Sequence, residues 1–228
     1  MKTLLSFLLF LIVITLANAN VKPRKFTVYS PNSLKTSETL YYSNGKSFKP
    51  LVFVKGARSK TYTRAISNSF EIFTSEVSNG KTIYVSVGIV SIDPQTERHL
   101  FLIEPSTMKE KLRITALDDT VESFPRGSYK YYNLTKFPIT ANLNGSISTI
   151  PPQRMTQVCP NIPNGGALIP FYLHYKNQTL YESRLYCQSS ERRIIFITRN
   201  HRGDTRRPVR LSFLPQLIGP NYNWLNSR

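Results

Sequence analysis

At 228 residues with two cysteines, the chain is long enough to bury a core and too poor in cysteine to be a disulfide-dense mini-scaffold. A net charge of +17, from 30 Lys and Arg against 13 Asp and Glu, excludes an acidic surface and turns the molecule toward anionic partners. Composition and motifs together give an address, a fold class and a kind of partner, but no reaction.

The first predicted element is a targeting segment. Lys2 precedes an apolar run from Leu4 to Leu16, which closes on Ala17-Asn18-Ala19. A basic start, an apolar run of about 7–15 residues and a small-residue cleavage site describe a secretory signal peptide. The run is shorter than the roughly 18 residues a membrane span needs. The expected products are a signal peptide over 1–19 and a secreted or periplasmic, cell-envelope protein from Asn20 onward, with no transmembrane span after cleavage. Residues 20–118 then hold fifteen Lys and Arg against eight acids, an excess of +7, and residues 119–228 hold fourteen against five, an excess of +9.

From there almost every stretch carries the two-residue period of half-buried strands, bounded by Asn, Gly, Pro and Ser. In chain order these are 25–30, 38–43, 50–55, 69–75, 82–92, 99–104 and 111–117, then 128–134, 139–143, 168–175, 179–187, 193–198 and 209–214. Tyr, Phe, Val, Ile and Thr dominate them, as a pleated surface requires. Asn44-Gly45 and Asn79-Gly80 stand between strand-like runs and predict hairpins. The single helical stretch, 105–111, is one turn at most. The expected fold is all-β: an antiparallel β-sandwich, organised as two sandwich-like halves over 20–118 and 119–228.

One internal echo sets duplication against chance. Thr96-Glu97-Arg98 leads into His99-Leu100-Phe101-Leu102-Ile103, and Ser190-Glu191-Arg192 leads into Arg193-Ile194-Ile195-Phe196-Ile197. Equivalent hairpins of a duplicated sandwich would produce this, and with so few matched positions chance is the stronger account.

A second pattern begins at the expected boundary. Phe124-Pro125-Arg126-Gly127-Ser128-Tyr129, followed by Tyr132-Asn133-Leu134-Thr135, Pro138-Ile139 and Ile150-Pro151-Pro152, resembles an uncharacterised family of secreted bacterial β-sandwich proteins. In them a Phe-Pro-x-Gly-Ser turn opens a strand ending in Asn-Leu-Thr, and the Ser-Glu-Arg-Arg strand near Arg193 is similar to their final section. The likeness covers mainly residues 124–200. Pro152 stands where that pattern has glycine, which leaves the type of that turn open. The resemblance implies a secreted β-sandwich, no known activity and no functional residue. On local grounds alone, Pro125 and Gly127 suit a tight turn before a strand.

Groups for catalysis are sparse. His99, His174 and His201 are isolated, with no Cys, Asp or Glu at metal-ligand spacing, so no metal, cofactor or catalytic residue is expected. No Gly-x-Ser-x-Gly elbow or phosphate-cradling loop occurs. Asp118-Asp119 read as turn formers. Cys159 and Cys187 are a possible disulfide in an oxidising compartment, worth roughly 3 kcal/mol for a loop of this length, against the alternative of two free thiols. Sequons at Asn133, Asn144 and Asn177 are no more than chance supplies. Trp224 reads as a tail anchor.

The sharpest feature is a run of arginines from Arg192 to Arg210, with Asp204 the one acid within it. It reads as a hairpin, 193–198 up, 200–205 across and 209–214 back, with Arg199, Arg202, Arg206 and Arg207 near its tip. Arginine forks there suit phosphate, sulfate or carboxylate oxygens. The alternative is a solvated loop that protects a sheet edge. Arg202-Gly203-Asp204 spells an adhesion tripeptide but is equally good turn chemistry.

The sequence therefore predicts a non-catalytic exported protein that contacts anionic lipid, glycan or envelope polymer through a basic surface. Nucleic acid would bind without specificity, and a specific protein partner is unidentified. The alternative is a carbohydrate-binding module or subunit using exposed aromatics. A third possibility is a hydrolase whose site assembles from distant residues.

Overall fold

The computed structural model describes residues 23–31, 38–64, 68–106, 108, 111–200 and 208–217. The expected signal segment, Trp224 and the Arg202-Gly203-Asp204 tripeptide lie outside them. Among the described residues there is no helix, and none therefore long and apolar enough to cross a membrane.

The first half comprises β1 (Arg24–Tyr29), β2 (Tyr41–Ser43), β3 (Phe48–Pro50), β4 (Tyr62–Arg64), β5 (Ser69–Ser78), β6 (Lys81–Ser91), β7 (Arg98–Pro105) and β8 (Leu112–Asp118). The second comprises β9 (Tyr129–Asn133), β10 (Ile139–Leu143), β11 (Ser146–Ile150), β12 (Met155–Val158), β13 (Ala167–Tyr175), β14 (Gln178–Cys187), β15 (Glu191–Arg199) and β16 (Val209–Leu217). Each half is two four-stranded sheets: β4-β1-β7-β8 with β3-β2-β5-β6, and β12-β9-β15-β16 with β11-β10-β13-β14. Adding eight to every label of the first half yields the second. The correspondence extends to strand direction, since β1 runs parallel to β7 and β9 parallel to β15, while the other pairings are antiparallel. Glu97-Arg98 and Glu191-Arg192 thus enter equivalent strands.

Turn chemistry sets the hairpins. Asn79 (φ 51) and Gly80 (φ 71) form a two-residue turn between Ser78 and Lys81, both central residues being left-handed, as hairpin twist demands. The Asn44-Gly45 turn is longer: the Asn44 side-chain oxygen accepts from the Lys46 and Ser47 amides, closing a four-residue loop. The expected strand over 50–55 is corrected. Only Pro50 belongs to a strand, because this segment leaves the β3 sheet and crosses to β4 in the other sheet, with a lone bridge from Val54 to Ala57. At Pro151–Arg154 the left-handed residue is Gln153 (φ 56), one place after Pro152, so proline occupies the second position of the turn, where its fixed φ fits.

Each sandwich has its own core. Phe26, Val28, Phe70, Ile72, Phe101 and Ile103 lie at the centre of the first, and Tyr129, Tyr131, Phe171, Leu173, Ile195 and Ile197 at the centre of the second. A third core joins them. Alternate residues of the same strands, Tyr29, Leu100 and Leu102 from one half and Tyr132, Ile194, Phe196 and Leu214 from the other, pack together with Phe124. Tyr29 stacks on Phe196 with ring centroids 5.0 Å apart. β7 and β15 are therefore buried on both faces, and their sequences are continuous apolar runs, Leu100–Ile103 and Ile194–Ile197, where a half-exposed strand would alternate. At another part of this junction Arg113 donates to buried Glu104 and to Gln153 of the second half.

The shared core should make the halves unfold as one unit, giving a single calorimetric transition for the chain from Asn20. Phe196→Ala should lower the unfolding free energy by about 3–5 kcal/mol, measured by urea titration. Two separate transitions in the unaltered protein would refute this coupling.

Candidate functional site

The segment between β8 and β9 is where polar chemistry concentrates. Asp118 turns the chain as expected, its carboxylate accepting from the Thr120 amide and hydroxyl. Phe124 follows, then the Pro125–Ser128 turn. There Gly127 (φ 70) supplies the left-handed residue, and the Ser128 hydroxyl donates to the Pro125 carbonyl at 2.6 Å. The turn is tied to β15 by the Gly127 amide, which donates to the Glu191 carbonyl.

Arg192 organises this linker. Its side chain has no solvent exposure, and its guanidinium lies 4.8 Å from the Phe124 ring centre. Nε donates to the Gln216 side-chain oxygen at 2.7 Å, Nη1 to the carbonyls of Thr120 and Phe124, and Nη2 to the carbonyl and carboxylate of Asp119, both at 3.0 Å. These five bonds match the five donors of the group.

Asp119 is the counter-ion for more than Arg192. Its other carboxylate oxygen accepts from Arg58 Nη1 at 2.7 Å and from Arg98 Nε at 3.0 Å. Burial acts to raise the Asp119 pKa, but Arg58, Arg192 and Arg98 outweigh it and hold the carboxyl below its ordinary range. Burial pushes Arg192 down to about 10 despite Asp119, leaving it protonated at neutral pH. Lys130, on β9 and 4.5 Å from the Phe124 ring centre, is also lowered by burial. One buried carboxylate thus faces an excess of cations, and the expected role of Asp119 as a turn former is corrected to that of the hub of the junction.

Beside this cluster lies a cleft of about 930 Å³ between the halves. The crossover loop of the first half forms one wall, with Val52, Val54 and Lys60, and the second half contributes Tyr186, Glu191, Leu214 and Gln216. Residues 46–60 contain Lys46, Lys49, Lys55, Arg58 and Lys60 and no acid. Sequence reasoning missed this basic loop because its apolar residues read as a strand.

The predicted hairpin forms from β15 and β16, with Arg199 opposite Val209. Arg199 is exposed at its end, whereas Arg202, Arg206 and Arg207 lie outside the described residues. Arg193 is held by both Glu191 carboxylate oxygens at 2.9 Å. Arg192 and Arg193 are therefore structural members of the run.

The possible Cys159–Cys187 bond is absent, and both thiols are free. Cys187 points from β14 into the core, where burial raises its pKa, while Cys159 follows buried Val158 and so faces the opposite way, to solvent. His99 is buried and parallel to Phe101, and His174 meets Thr179 at 3.3 Å. Asn133 is fully buried: its amide donates to the Phe137 and Ile150 carbonyls and its oxygen accepts from Thr135, so this Asn-Leu-Thr is a structural turn. Asn144 and Asn177 stand exposed in hairpin turns. On the outer face of the β3-β2-β5-β6 sheet, half-buried Tyr41, Phe48, Phe73 and Tyr84 form an aromatic cluster, Phe48 and Tyr84 stacking at 3.8 Å.

Asp119→Ala would leave three guanidinium groups without their carboxylate and should lower stability by about 3–5 kcal/mol. A carboxyl whose folded pKa is depressed contributes stability that is complete above its ordinary value of 3.8 and disappears as pH falls through the lower folded value. Urea midpoints should therefore drop below pH 3.8 in the natural chain, and Asp119→Asn should flatten that drop. An unchanged acid limb in the variant would remove Asp119 from this role.

No family model and no curated protein matches the chain.

Proposed function

We propose that the protein is a non-catalytic exported protein that contacts anionic cell-envelope or extracellular partners through its basic surface. The observation carrying this reading is charge placement. Among the described residues, exposed lysines and arginines outnumber exposed carboxylates more than two to one, and the acid-free loop 46–60 presents four exposed lysines. The buried acids Glu104, Asp119 and Glu191 are each engaged by arginine, so they do little to offset the exterior charge. Arg199 and Arg210 add exposed cations on β15 and β16. Such a field accelerates and strengthens contact with polyanions.

The aromatic cluster on the outer sheet face favours a second reading, a carbohydrate-binding module or subunit in which sugar rings lie on Tyr41, Phe48, Phe73 and Tyr84. Salt separates the two. Contact with anionic vesicles or an acidic polysaccharide should weaken steeply with ionic strength, whereas stacking on a neutral polysaccharide should hardly change. Replacing Arg199, Arg202, Arg206 and Arg207 by Ser should reduce vesicle binding, and replacing Lys46, Lys49 and Lys55 should reduce it again, as read by cosedimentation across a salt series. Vesicle binding undiminished in both variant sets, with salt-independent binding to neutral polysaccharide, would replace the first reading with the second.

A further inference from the structure

The cleft between the halves has a feature that the general basic surface does not explain: several donors in its wall are buried without an acceptor in the protein. Arg58 spends Nη1 on Asp119, while Nε and Nη2, the two parallel donors on the other edge of the guanidinium, have none. That edge has the spacing of a carboxylate's two oxygens. Its side chain is 11% exposed. Gln216 is 7% exposed. Because its side-chain oxygen must accept from Arg192 Nε, its Nε2 amide group is turned away and is left without a partner. The Thr27 hydroxyl is a third such group, on a residue 3% exposed. Arg58, Gln216 and Thr27 line the same cleft.

The surroundings define what would satisfy them. Lys60 and Arg98 also line the cleft, and the one acid among its described lining residues, Glu191, has both carboxylate oxygens on Arg193. The local charge is therefore positive, and the described lining residues offer no uncommitted carboxylate. Much of the remaining wall is apolar: Leu214 is buried at the junction, and Val52 and Val54 are exposed along the loop. The volume, about 930 Å³, lies within the range that holds a small organic molecule.

We infer that this cleft binds a small organic acid, with its carboxylate on the Nε and Nη2 edge of Arg58, flanked by Thr27 Oγ1 and Gln216 Nε2, and its apolar body against Val52, Val54 and Leu214. The inference stands apart from the polyanion reading, since surface lysines would still hold a vesicle if the cleft held nothing.

Octanoate is the probe, with octanol and acetate as its two halves, titrated into the chain from Asn20 and followed by amide chemical shifts at physiological ionic strength. Octanoate should bind saturably at one site and shift the amides around Thr27, Arg58 and Gln216, and octanol and acetate should each bind at least about tenfold more weakly. Thr27→Val removes a hydroxyl that has no partner and keeps the side-chain shape. It should melt at or above the natural temperature and weaken octanoate by about threefold or more. Val52→Asp, at an exposed position, should abolish binding by placing a carboxylate in the wall, while anionic-vesicle binding persists in both variants. Absence of saturable octanoate binding, equal binding of octanol or acetate, or octanoate affinity unchanged in both variants would each overturn the inference.

Discussion

Burying a guanidinium between two sandwiches is the constraint on which this structure turns. Arg192 is excluded from water, so each of its donors must find an acceptor, and all of those acceptors come from the linker and from the strand paired beside it. The linker carbonyls at Asp119, Thr120 and Phe124 can meet one planar group only if the chain wraps around it. The ion therefore dictates the path of the connection between the halves, and the path brings Phe124 into the shared core. Its net energetic worth is modest once desolvation is counted, as for buried ion pairs in general. Its contribution is geometric, because a different arrangement of the halves would strand a charge.

The two halves share a strand plan but not its electrostatics. Arg98 and Arg192 enter equivalent strands, and the residues beside them across the ladder are Asp119 and Gln216. One half thus supplies a carboxylate and the other an amide at matching positions. The carboxylate is drawn across the pseudo-symmetry to serve both arginines, and the amide is left with one side committed and one side open. The cleft lies beside this asymmetry, where repetition of the fold brings two similar surfaces together and substitution makes them unequal.

Much of the fold was legible because most strands carry their own pattern. The runs at 69–75, 168–175 and 179–187 alternate, and Asn79-Gly80 can hardly form anything but a tight turn. The strands that escaped notice, Tyr62–Arg64, Ser146–Ile150 and Met155–Val158, are short edge strands held by a neighbour's ladder more than by their own composition. The apolar loop 51–55 misled for the opposite reason, since it is apolar without being paired. The site was harder to read. An arginine in the run from 192 to 210 looks the same whether buried or solvated, and the bond from Arg192 to Asp119 spans 73 residues. The double burial of β7 and β15 did have a local signal, in apolar residues that fail to alternate, and that signal marked the junction.

The parallel pairings also have a kinetic meaning. The pairing of β1 with β7 must wait for a strand six places later in the chain, and that of β9 with β15 waits equally long. Neither sheet beside the junction can close from local hairpins alone, so a large entropy of loop closure precedes the contacts that repay it. A chain threaded through a narrow pore from its N-terminus would meet that delay twice, once in each half, with only hairpins such as β5-β6 and β13-β14 able to form in between. The bonds from Arg192 back to Asp119, 73 residues away, belong to the second of those two closures and tie it to the first.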